Sequence, residues 1–205
     1  MTLETIRQKY GRKAPVGRVI VLVAMFLLPL LARAQRLNVS TNLLYWATTT
    51  PNVSIEGRLS RHYTLSLSLG YNPFNYKDNE YDVDPKLHHW IVYPEAKYWF
   101  CRAFERGYIG LHAFYGRYDA GGLEFPSFLS EHRYKGYGLG AGLSYGYQWA
   151  LGKRWGIEAS AGVGYVYVNY DKYDCGSCDG EKTEDGKKHF VLPTKAAVSI
   201  IYFIK

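Results

Sequence analysis

Residues Tyr63 to Tyr71 read Tyr-Thr-Leu-Ser-Leu-Ser-Leu-Gly-Tyr. Every odd position is apolar or aromatic, and every even one is Thr, Ser, Ser or Gly. Successive side chains of a strand point to opposite faces, so this is a strand with one greasy face and one small, polar face. The same beat returns in Tyr137–Trp149. There Tyr137, Leu139, Ala141, Leu143, Tyr145, Tyr147 and Trp149 alternate with Gly138, Gly140, Gly142, Ser144, Gly146 and Gln148. A soluble sandwich buries its large face and wets its small one. Here the Gly/Ser face is too small for a water-facing surface, and the aromatic face is too large for one small core. Both fit if the large face meets lipid and the small face fills a narrow ring. The pattern predicts an all-β fold, an eight-stranded antiparallel up-and-down transmembrane barrel with a plugged polar lumen.

Eight alternating stretches carry that prediction: Leu37–Trp46, Asn52–Leu59, Tyr63–Tyr71, Trp90–Phe100, Tyr108–Arg117, Tyr137–Trp149, Trp155–Tyr170 and Pro193–Ile204. Each has, give or take a few, the roughly 9–11 residues that a tilted membrane strand needs. Short connections at Ser60–His62, Cys101–Gly107 and Ala150–Arg154 alternate with long ones at Asn72–His89, Tyr118–Lys135 and Asp171–Leu192. Outer-membrane barrels alternate short periplasmic turns with long extracellular loops in this way, and the first outer connection, Ala47–Pro51, is the exception in being short. Both termini then fall on the periplasmic side. Tyr63, Tyr98, Phe100, Trp149, Trp155 and Tyr202 mark the turn ends, and Tyr45, Tyr71, Trp90, Tyr115, Tyr137, Tyr165 and Tyr167 the loop ends. Two such girdles are the expected membrane belt.

The first 34 residues fit a secretory signal, leaving 35–205 as the barrel domain. Arg7, Lys9, Arg12, Lys13 and Arg18 precede the apolar run Val19–Leu31, and Ala32-Arg33-Ala34 supplies a small-residue cleavage site. The run is too short for a membrane-spanning helix, which takes about 20 residues. The formal charge of +7 is concentrated in this segment, whose six Lys/Arg and one Glu leave the rest of the chain at +2. No basic stripe remains, so nucleic acid is not an expected partner.

Strand parity sorts the charged residues. Glu56, Arg58, Glu95, Lys97, Glu158, Lys195 and His112 all lie opposite in parity to the large apolar residues around them. They are predicted to form a lumen ion-pair network, because an inward charge in a narrow ring costs several kcal/mol unless paired. Inward glycines leave room for Trp46, Tyr93, Trp99 and Phe114, and a filled lumen predicts no steady conduction. Cys175-Gly-Ser-Cys178 lies in a polar stretch, and in an exported chain such a pair reads as a local disulfide. Cys101 falls at the opposite end of the belt and is expected to stay free. Asp78, Glu80, Asp82 and Asp84 recur at every second position and form a candidate loop cation site, although no EF-hand spacing is present. No cofactor and no catalytic residue is expected.

Several segments resemble a known family. They are Thr41-Asn42-Leu43-Leu44-Tyr45, Gly70-Tyr71-Asn72-Pro73, Tyr93-Pro94-Glu95, Leu143-Ser144-Tyr145-Gly146-Tyr147, Leu151-Gly152-Lys153-Arg154-Trp155 and Pro193-Thr194-Lys195-Ala196-Ala197. The chain resembles a domain-of-unknown-function family of short outer-membrane barrels, found in Gram-negative bacteria with fimbrillin-type adhesins. More distantly it is similar to the small OmpA/OmpX-type barrels. The resemblance implies fold and location, with outer-membrane lipid and a surface or fimbrial protein as partners. It implies no activity. The leading expectation is thus a non-enzymatic outer-membrane barrel whose loops bind a surface partner or support envelope assembly. One alternative is a small lipid-modifying enzyme using His88, His89, Ser127, His132 and Asp119, without a G-x-S-x-G motif. The other is a lipocalin-like soluble carrier, which would need its large apolar face inside.

Overall fold

A computed structural model describes residues 37–73, 86–121, 133–173 and 182–204. Eight strands are present among them: β1 (Leu37–Asn42), β2 (Asn52–Arg58), β3 (Tyr63–Asn72), β4 (Lys86–Trp99), β5 (Arg106–Gly121), β6 (Arg133–Ala150), β7 (Trp155–Tyr173) and β8 (Lys182–Ile204). A short helix, α1 (Leu43–Ala47), follows β1. Each strand pairs antiparallel with the next, and β1 pairs with β8, so the sheet closes on itself. Closure leaves each strand end to be dealt with separately but removes a continuous sheet edge. No helix among the described residues is long and apolar enough to cross a membrane, which says nothing about crossing by strands.

The two faces separate as the alternation predicts. Leu65, Ala96, Leu111, Leu143, Val163 and Pro193 stand abreast on neighbouring strands. They face outward, with Leu143 65% and Leu111 62% exposed. One residue along, Arg58, Thr64, Lys97, Gly110, Ser144, Gly162 and Lys195 form the matching row on the inner face. At this level the outer surface is therefore hydrophobic and the interior polar.

Four expectations change. The first strand stops at Asn42 rather than running to Trp46. Asn42 acts as helix N-cap, its Oδ1 accepting from Leu44 N at 3.1 Å. That oxygen also accepts from Val198 N at 3.1 Å, and Asn42 Nδ2 donates to Ala196 O at 3.3 Å. One amide thus starts the helix and occupies the β8 edge where β1 ends. Trp46 consequently leaves the lumen: it lies on α1, is 51% exposed, and donates from Nε1 to Thr41 Oγ1 at 2.7 Å.

The strands β4 to β8 also continue into stretches read as loops, most of all β8, which begins at Lys182 instead of Pro193. The wall of the ring is tall on that side and short at β1 and β2. Finally, a bulge interrupts the β7–β8 register, with Gly162 opposite Lys195 and Val163 opposite Pro193. Thr194 is the extra residue, and its hydroxyl turns inward to His112 Nε2 at 2.8 Å. Strict alternation with the inward Lys195 would place Thr194 outside; a bulge puts two neighbours on one side. Pro193 beside it sits where a missing N–H is tolerated.

Small inner residues let the ring close tightly. Gly142 and Gly164 face each other on β6 and β7. A Cβ on Gly142 would stand 2.4 Å from the carbonyl oxygen of Val163 and 2.8 Å from His112 Nε2. Backbone cannot move aside cheaply, so Gly142→Ala is expected to cost about 1–3 kcal/mol, the usual penalty of overpacking. Urea unfolding of the purified protein measures it. Gly152→Ala, at a turn with open space around the new methyl, should leave the midpoint where it was; equal midpoints for both variants would refute the packing argument.

Candidate functional site

The interior is built in layers. At the turn end, the connection between β4 and β5 passes through left-handed backbone at Phe104 (φ 71°) and Arg106 (φ 64°). It folds Phe104 under the ring, where it joins Trp99, Ala103 and Tyr108 in a buried apolar cluster with Phe203 against it. Trp99 and Tyr108 have no exposed surface, and their rings lie 4.8 Å apart. Ala103 N donates to Arg61 O at 2.8 Å, which ties this floor to the neighbouring turn.

Above the floor lies the charge cluster. Lys97 Nζ sits 3.0 Å from Glu56 Oε2, 2.9 Å from Glu158 Oε2 and 4.0 Å from Glu95 Oε2. It also stands 4.5 Å from the centre of the Tyr108 ring, so one cation meets three carboxylates and an aromatic face. Lys195 Nζ pairs with Glu95, 2.6 Å from Oε2 and 2.9 Å from Oε1. Each carboxylate also accepts from a neutral hydroxyl. Tyr108 OH donates to Glu158 Oε1 at 2.7 Å. Thr64 donates to Glu56, and Ser144 to Glu95. Trp99 Nε1 in turn donates to Thr64 Oγ1 at 2.9 Å, linking floor and cluster. Glu56, Glu95, Lys97 and Glu158 are all about 5% exposed or less. Buried ions persist only when paired and hydrogen-bonded in this way.

Of the seven predicted lumen residues, the structure joins five: Glu56, Glu95, Lys97, Glu158 and Lys195. His112 is buried in the next layer, against Thr194 and stacked on Tyr93 at 5.0 Å. Arg58 is half-buried at the end of β2, opposite Thr64. Parity reading overlooked Tyr108, the ring both lysines approach. It shares parity with Gly110 and His112, and its register partner is Gly146, where a Cβ would stand 2.4 Å from the ring. A glycine facing an inward aromatic was the available signal.

On the β1–β3 side the inner residues are smaller. Ser40, Ser54, Ser66, Ser68 and Ser199, with Tyr93 beside Ser68, line a cavity of about 70 Å³ that borders the cluster. It is polar and has room for ordered water.

The described residues among those considered for catalysis, His88, His89 and Asp119, do not form a catalytic set. His88 stands opposite Asp119 in register, whereas His89 turns to the other face and meets Thr50 Oγ1 at 3.2 Å. Ser127 and His132 lie outside the described residues, and no Ser or Cys among the described residues lines the groove around His88 and Asp119. Nothing there orders a nucleophile, a base and an orienting group. Among the described residues no group of three His, Cys, Asp or Glu side chains could hold a metal ion. Asp78, Glu80, Asp82 and Asp84 lie outside the described residues, as do Cys175 and Cys178. Cys101 is an exposed free thiol in the turn after β4.

The family model described as "Protein of unknown function (DUF3575)" matches residues 20–204, and the chain belongs to that family. No curated protein matches it.

Proposed function

We propose that the protein is an outer-membrane barrel without enzymatic activity. Its interior is a structural plug, and its outer rim carries the binding function, toward a surface partner or an envelope or fimbrial assembly. One observation carries this reading: in the band between the two aromatic girdles, charges lie inside and large hydrophobic residues outside. Exposed Leu67, Leu69, Leu111, Leu143, Val163 and Val191 would be a large liability in water. Against lipid they are the expected surface. Aromatic pairs bracket this band, with Trp155–Tyr202 and Tyr63–Tyr98 at the turn end and Trp90–Tyr115 at the other. The signal-like first 34 residues agree with export.

A soluble carrier is disfavoured, because its apolar face would have to line the cavity. A lipid-modifying enzyme lacks an assembled set of catalytic groups among the described residues. The plug acts as a scaffold in this reading. Paired charges fix the ring, and the tall strands β4 to β8 hold the rim above the membrane.

Cell fractionation tests the proposal. The protein should sediment with outer membranes, resist carbonate extraction, and migrate faster on gels before boiling than after. Recovery in the soluble periplasmic or culture fraction would overturn it.

A further inference from the structure

The outward face carries a built groove at its rim. Trp90, Arg117, Tyr137 and Asn169 stand abreast on β4 to β7. Two residues further up, His88, Asp119, Lys135 and Asp171 form a second row. Tyr71 closes one side and Tyr173 the other, and the groove encloses about 590 Å³. That volume is within the roughly 300–1,000 Å³ of small-molecule sites.

We propose that this groove binds the saccharide headgroup of a membrane lipid. The proposal rests on the membrane reading above. The lower row offers flat aromatic faces, which pack against the C–H face of a sugar ring. The upper row offers carboxylates, an imidazole and an ammonium, with the Asn169 amide and the Arg117 guanidinium beside them. These are the donors and acceptors that read ring hydroxyls. Charge is balanced, with Arg117 and Lys135 against Asp119 and Asp171. Lys135 Nζ lies 3.7 Å from Asp119 and 5.4 Å from the centre of the Tyr173 ring. A bare phosphate would meet two carboxylates beside its two cations, so hydroxyl geometry and stacking decide the ligand.

The source is a lipid because the groove floor continues downward into the apolar belt. Val92, Tyr115, Leu139 and Tyr167 form the next row below. The Tyr115, Tyr137 and Tyr167 rings succeed one another at 6.1 and 6.3 Å. A headgroup seated on Trp90 and Tyr137 would thus have its acyl chains against a continuous greasy wall. A free glycan gains nothing from that wall.

The test uses the purified full-length protein. It is folded into vesicles of phosphatidylethanolamine and phosphatidylglycerol with or without lipopolysaccharide, then extracted in mild detergent. Native mass spectrometry reads the glycolipid retained. The wild type should retain it, and Trp90→Ala and Asp171→Asn should each weaken retention at least about tenfold, as expected when one anchor of a site is removed. Tyr202→Ala, in the girdle at the opposite end, should retain it fully. Equal retention by the groove variants and the wild type overturns the site. Binding of the free saccharide, released by mild acid, as tightly as the intact glycolipid overturns the lipid source. Heat-modifiable migration is scored in every sample. Protein that inserts but retains no glycolipid overturns the groove alone, and protein that does not insert overturns the membrane reading with it.

Discussion

Lys97→Met is expected to destabilise the folded ring by about 5 kcal/mol, the upper end for removing one partner of a buried ion pair. The size follows from the geometry. Lys97 Nζ is the shared partner of Glu56 and Glu158 and the second cation near Glu95. Without it, three buried carboxylates face one another with Lys195 as the one remaining lysine of the cluster. Methionine keeps most of the packing volume, so the loss is electrostatic rather than a cavity effect. Urea unfolding in detergent, followed by tryptophan fluorescence, gives the number. A second measurement isolates the cause. Adding Glu56→Gln and Glu158→Gln to Lys97→Met removes the stranded charges and should recover a large part of the loss. If the single variant unfolds at the wild-type midpoint, the cluster does not hold the ring together.

Trp99→Ala should lower stability by about 3–5 kcal/mol, the range for truncating a buried Trp, and should open the ring to ions. Trp99 fills the floor between Tyr108 and Phe104, with ring separations of 4.8 and 6.0 Å. It also orders Thr64, which donates to Glu56. Wild-type protein in planar bilayers should show no steady conductance, and the alanine variant brief or sustained openings. Trp99→Phe keeps most of the floor and loses one hydrogen bond, worth about 1 kcal/mol. It should stay closed. Steady conductance by the wild type would refute the closed lumen, and a silent, fully stable alanine variant would show that the floor lies elsewhere.

Both variants address residues whose inward placement was legible in the sequence. Lys97 and Trp99 lie opposite in parity to Ala96, Tyr98 and Phe100, and a strand leaves no third direction. The outward belt was legible for the same reason, since Leu65, Leu67 and Leu69 need no neighbour to declare their face. What each inward charge touches was not legible. Glu56 reaches Lys97 across 41 positions and Glu95 reaches Lys195 across 100. Those pairings depend on the stagger between strands, which closure of the ring sets and no local pattern encodes.

The departures have local causes that only the folded neighbourhood reveals. Leu43 to Trp46 is apolar or aromatic throughout and reads as a continuation of the strand, yet Asn42 finds β8 and a helix start within reach, so the strand ends there. Residues 182–189 read as a loop because polar residues fill both parities, and Phe190–Leu192 is an unbroken apolar run, so the period that marks a half-buried strand is lost. Pairing with β7 makes them a strand regardless. At Thr194 one extra residue lets Thr194 and Lys195 both face inward, which parity forbids and a bulge allows. The sequence by itself determined the two faces of the wall, because alternation is a property of one strand. The tertiary structure decided the partners inside it and the height of the rim, because those depend on how eight strands register against one another when the sheet closes.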